Sequence, residues 1–210
     1  MLSELKKYLS GVVTFFKTDS RRWIVFSCAG VGFFVVLFLA FYNPPGLSGE
    51  FLAARSSASA VSREIVALTS QTNEKIQEVN SLDLRGDAKR ARELIRDARS
   101  SNQLAYQRAF ELSQYLQKLT ESLDTLSSSR SQQLVYEAVA VELGLVTEFI
   151  SYTQSLNVFF DHLERALVTN LPSDRKTVEE ALSGVNERTS RINNLNEEFL
   201  AKMRQFDESL

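Results

Sequence analysis

The distribution of apolar and polar positions divides the chain sharply. Residues 23–42 carry no charge, and twelve of those twenty positions are Ile, Val, Leu or Phe. Twenty residues of helix rise about 30 Å, the thickness of a bilayer core. Twelve such side chains favour insertion by about 4–7 kcal/mol. Asn43-Pro44-Pro45-Gly46 ends the run, because proline lacks the backbone donor and keeps the residue before it out of the helical region. Trp23 and Tyr42 stand at the two ends, where amphipathic rings prefer the interface. With Phe33, Phe34, Leu37 and Phe38 they make up the expected membrane anchor, a helix over 21–43. A removable signal would have a shorter apolar core and a small-x-small exit, whereas Leu39-Ala40-Phe41-Tyr42 is a poor cut site. The segment is expected to stay in place.

Before the anchor, residues 1–20 place Leu2, Leu5, Leu9, Val12, Val13 and Phe16 on one helical face, with Lys6 and Lys7 off it. That spacing suits an amphipathic stub lying at the membrane surface.

After the break at 44–46 the period changes to alternating steps of three and four. Leu47, Phe51, Ala54, Ala58, Val61, Ile65, Leu68, Thr72, Ile76, Val79 and Leu82 form a first seam, interrupted at "DLRGDAKR". Gly86 there can close one helix and Asp87 can cap the next. The second seam is stricter, running from Ala88 through Asn102 to Leu126, first mostly alanine and then leucine. A third runs through Leu134, Ala138, Val141, Leu145 and Phe149 to Leu163. Its two successive steps of four across Val141-Leu145-Phe149 suggest a stutter. "NLPSDRK" then breaks the chain, with Ser173 or Asp174 as cap, and a fourth seam runs from Val178 to Leu210.

These patterns predict an all-α protein. An N-terminal transmembrane helix leads into a long, coiled-coil-like, antiparallel up-down-up-down bundle of four helices over 47–210, at about 47–83, 87–126, 131–169 and 174–209. Two hairpins that close only with a partner chain are the competing arrangement. No second span is expected before Leu210.

Charge orients the picture. Residues 1–22 hold five basic and two acidic groups, leaving nineteen basic against twenty-four acidic in the remainder. The positive-inside bias therefore puts the N-terminus in the cytoplasm and 47–210 outside it. The acidic balance beyond the anchor argues against a nucleic-acid partner. The three prolines leave 46–171 free of that residue, which favours long helices. The lone Cys28 rules out an internal disulfide.

Candidate chemistry is sparse. One histidine, His162, cannot supply the paired Glu-x-x-His ligands of a di-metal bundle, and no second thiol or imidazole completes a zinc site or a nucleophile–base pair. No glycine-rich phosphate loop is present. No metal, cofactor or catalytic residue is expected. "RGD" at 85–87 is accounted for by the helix stop and cap. The one charge cluster that local stability does not explain is at the turns remote from the anchor. Arg85, Lys89, Arg90, Arg92, Arg175 and Lys176 gather there, where cations oppose the helix macrodipole, so an anionic partner at this tip is a candidate. Thr72, Asn102, Thr189 and Asn196 put polar groups on apolar seams, suited to fixing register or, less favoured, to lining a small pocket.

The expected role is non-enzymatic: an interaction or scaffolding module at the cell envelope. Its partners are the lipid bilayer and another protein, a second copy included. The rival is a sensory bundle that takes a small molecule and signals through a partner membrane protein. In architecture alone the bundle resembles the periplasmic four-helix domains of chemoreceptors, though it shares no motif with them.

Overall fold

The structure, a computed structural model, describes residues 48–123 and 129–208. The amphipathic stub, the anchor over 21–43 and its break lie outside the described residues. Among the described residues no helix is long and apolar enough to cross a membrane.

What is described is all-helical and has no strand. Four helices follow one another: α1 (Gly49–Arg85), α2 (Ala88–Glu121), α3 (Ser129–Thr169) and α4 (Pro172–Glu208). Their lengths of 37, 34, 41 and 37 residues correspond to about 50–60 Å each. Ser48 caps α1, its hydroxyl accepting from the Phe51 amide at 3.2 Å. Gly86 closes the same helix with φ 78°, and its amide returns to the Asp83 carbonyl at 3.0 Å. Asp87 caps α2 through the Arg90 amide at 3.1 Å. The fourth helix starts at Pro172, earlier than a cap at Ser173 or Asp174 implies. Proline suits the first helical position, where its missing donor costs nothing.

Cross-helix contacts show antiparallel neighbours. Lys75 on α1 donates to the Ser101 hydroxyl on α2 at 2.9 Å. Asn102 on α2 reaches α3, and Lys202 on α4 meets Glu137 on α3 at 2.6 Å. The backbones pack closely within two hairpins, α1 on α2 and α3 on α4, joined by α2 on α3. Between α1 and α4 the backbones stay further apart, and side chains close the gap at both ends. At the end where the chain enters, the Phe51 and Phe206 rings lie 6.3 Å apart. At the far end Arg175 grips Asp83 at 2.8 and 3.2 Å. The four helices thus enclose one core of their own.

The core revises two of the seams. In α3 the buried line is Ser131, Val135, Ala138, Glu142, Leu145, Phe149, Tyr152, Leu156, Phe159, Leu163 and Ala166, strict steps of four and three with no stutter. Leu134 and Val141 are only half-buried beside it. In α1 the deepest line passes through Phe51, Arg55, Ala58, Ser62, Ile65, Thr69, Thr72, Ile76 and Val79. Both lines carry polar residues at heptad core positions, which a search for apolar periodicity steps around.

Candidate interaction surfaces and a buried cavity

The far-end cations do not form one open cluster. Arg175 is held bidentately by Asp83 and also reaches Asn170 at 3.0 Å. Its hydrogen bonds to the Asp83 carboxylate raise its pKa above the ordinary guanidinium value. Arg90 pairs with Glu93 at 3.2 Å, and Lys176 approaches Glu180 at 3.8 Å. Arg85 and Arg92 donate to carbonyls of their own helices. Lys89 is exposed. The arginines and lysines proposed for an anionic partner are therefore largely engaged locally, with Arg175 serving to join α4 to α1.

The polar seam residues divide by what they reach. Asn102, 2 % exposed, donates to the Thr153 carbonyl at 2.8 Å and to Asn157 Oδ1 at 3.1 Å on the neighbouring helix. Such a cross-helix bond ties α2 and α3 at one height. Thr72 and Thr189 bond carbonyls one turn back in their own helices, at 2.8 and 3.0 Å, so their hydroxyls do not span to a neighbour. Asn196 is buried on α4.

The feature that apolar periodicity passed over is a cavity near the entry end, bounded by all four helices. Arg55 and Ser62 from α1, Leu112 and Leu116 from α2, Val139 and Glu142 from α3, and Phe199 and Met203 from α4 surround it. The void open to the centre of a water-sized sphere is about 30 Å³, room on the scale of a water molecule or two. Glu142 is 1 % exposed and neither carboxyl oxygen has a hydrogen-bond partner in the protein. Burial pushes its pKa up to about 8, because the charged form loses its hydration there. A sequence signal existed: Arg55, Ser62 and Thr69 recur every seven residues, as core positions of a heptad do.

Surface chemistry is concentrated on one face. Among the described residues eight large apolar side chains are exposed, and four of them, Tyr106, Phe110, Tyr136 and Leu143, lie along the outer side of the α2–α3 pair. Tyr106 and Phe110 follow Asn102 by one and two turns. Leu143 and Tyr136 precede Asp161, which meets Arg99 of α2 at 2.9 Å, by five and seven turns. The face has no charged residue on α2 between Arg99 and Glu121 other than side-facing Arg108, Glu111 and Lys118. Arg108 turns away to Glu64 of α1, at 2.7 Å.

Comparison with protein families, with characterised proteins and with solved structures gives no match to this chain. Among the described residues no group of three or more His, Cys, Asp or Glu could hold a metal ion.

Proposed function

We propose that the protein is a membrane-anchored, non-enzymatic interaction module, with its four-helix bundle displayed outside the cytoplasm on the helix over 21–43. The observation that carries the interaction reading is the exposed Tyr106–Phe110 and Tyr136–Leu143 face. Aromatic enrichment with depletion of charge marks the centre of protein–protein interfaces more than bulk hydrophobicity does. In a chain with 24% charged residues, such a face would otherwise be broken by charge. The anchor rests on the uncharged block at 23–42, and the orientation on the basic residues that precede it.

The test is a photo-crosslinking residue at Phe110 in the full chain, in its native membrane, with the same residue at exposed Ser190 on α4 as the comparison. Specific adducts from position 110 and none from 190 are expected; equal labelling at both would sink the reading. Protease added to the cytoplasmic side should leave 47–210 intact, and digestion from that side would reverse the orientation.

A second reading, a small-molecule sensor, is favoured by the cavity lined by Arg55, Ser62 and Glu142. At about 30 Å³ it admits water-sized guests, so a larger ligand requires the helices to part. A thermal shift on a small-molecule panel that vanishes in Glu142→Leu would support it.

A further inference from the structure

The outer line of α2 is nearly a palindrome in its chemistry. Phe110, 60 % exposed, sits at the centre. Gln107 and Gln114 lie three and four residues to either side, Gln103 and Gln117 seven, and Arg99 and Glu121 eleven. All lie within one face of the helix, because these offsets are close to whole turns. If a second α2 runs antiparallel against this line, with the twofold axis level with Phe110, each position meets its mirror. Phenylalanine meets phenylalanine, Gln103 meets Gln117, and arginine meets glutamate, with Gln107 and Gln114 one residue out of register between them.

We propose that this face pairs with the same face of a second copy of the chain, antiparallel, across a twofold axis at Phe110. The inference rests on the interaction reading above and names its partner. Three properties choose a second copy over an unrelated protein. A glutamine amide both donates and accepts, so two facing glutamines satisfy each other without a complementary residue type. The charged ends are of opposite sign, so the antiparallel arrangement attracts where a parallel one would set arginine on arginine. Arg99 retains 34 % of its side chain open while bound to Asp161, enough to meet a further carboxylate. The size also fits. The 23 residues from Arg99 to Glu121 span about 33 Å, and two helices together are about 20 Å wide, a face of about 650 Å². Specific dimers bury about 800 Å² per partner. Leu143 and Tyr136 of α3 extend the apolar contact along one flank.

An antiparallel pair has a consequence for the anchored chain. Lys75 opposite Ser101 and Glu64 opposite Arg108 put the start of α1 about 20 Å along the axis from Phe110, so the two entry ends point in opposite directions about 40 Å apart and the pair would bridge two facing bilayers.

The test uses the full chain with Cys28→Ser, in detergent micelles. A variant carrying Arg99→Cys with Glu121→Cys should oxidise to a covalent dimer, as should Phe110→Cys, while Ser190→Cys should not. By sedimentation the chain should dimerise, and Phe110→Glu with Leu143→Glu should weaken pairing by about 100-fold or more with helicity unchanged. Mixing Phe110→Glu with Phe110→Lys should restore it. Vesicles carrying the full chain should cluster, and those carrying the double glutamate variant should not. A monomer at all concentrations overturns the proposal, as does a dimer indifferent to the glutamates or crosslinking at Arg99→Cys alone as efficient as in the pair. Capture of other proteins from Phe110 by a monomeric chain overturns self-pairing and leaves the interaction reading standing.

Discussion

Glu142 couples the core to pH through one buried carboxyl. Its folded pKa of about 8 lies above the ordinary carboxylate value of 4.5. Below both values the group is neutral in either state and costs nothing on folding. As pH rises from about 4.5 the unfolded chain ionises while the folded one holds its proton, so stability falls until the pH passes about 8. The loss amounts to several kcal/mol at most. Thermal unfolding followed by circular dichroism should show Glu142→Gln close to wild type near pH 5 and progressively more stable than it towards pH 8. A constant gap across that range would sink the assignment. Asn102 works in the opposite sense, since its amide bonds two partners on α3. Asn102→Ala should lower stability by about 1–3 kcal/mol in chemical denaturation, because it strips a buried amide contact and leaves Asn157 without its donor. At this scale the sequence distinguished that polar residues sit on the seams. It did not distinguish Asn102 from Thr72 and Thr189, since a threonine can bond its own helix and an asparagine side chain here reaches across.

Helix ends and helix faces were legible to different degrees. The turn at Gly86 and Asp87 follows from local chemistry, since glycine takes the left-handed conformation without penalty and aspartate accepts the free amides of a helix start. A Cβ at Gly86 would meet nothing within 4 Å, so Gly86→Ala should cost only its conformational strain, about 1–2 kcal/mol, read from the unfolding midpoint. A smaller loss would mean that the turn relaxes to another conformation. The faces of α1 and α3 were harder. In each helix two adjacent lines of residues step by three and four, and one is more apolar than the other. Packing set the other deepest, through Arg55, Ser62 and Thr69 in α1 and through Glu142 in α3, with Ala54 and Val61 buried beside it. Hydrophobic periodicity locates the wetted side of a helix well and resolves neighbouring core positions poorly, because both lie within the same apolar stripe.

Over the whole molecule, closure depends on the one interface where backbones stand apart. Asp83 and Arg175 hold α1 to α4 at the far end, and Phe51 and Phe206 do so at the entry end. Between them the seam is polar, with Ser62 Oγ, Asn73 Oδ1 and Asn186 Oδ1 buried and lacking protein partners. Arg175 is 37 % exposed, so the ion pair itself stabilises the fold by at most about 1 kcal/mol. Its larger effect is local. Asp83→Ala should accelerate amide hydrogen exchange in the first turns of α4 and the last turns of α1 while leaving the α2–α3 contact protected. Uniform acceleration through all four helices would mean that the clasp supports the whole bundle instead.

Sequence by itself determined that the described residues fold as four helices and where the Gly86 turn falls, because periodicity, glycine and capping side chains act within a few residues of one another. It also determined the uncharged block at 23–42. Only the tertiary structure decided which stripe of each helix faces the axis, that α1 and α4 meet through side chains at their ends, and that Arg55 and Glu142 share a cavity. Those outcomes depend on contacts between residues tens of positions apart, where the cost of burying a charge is set by neighbours from other helices and not by the local run of residues.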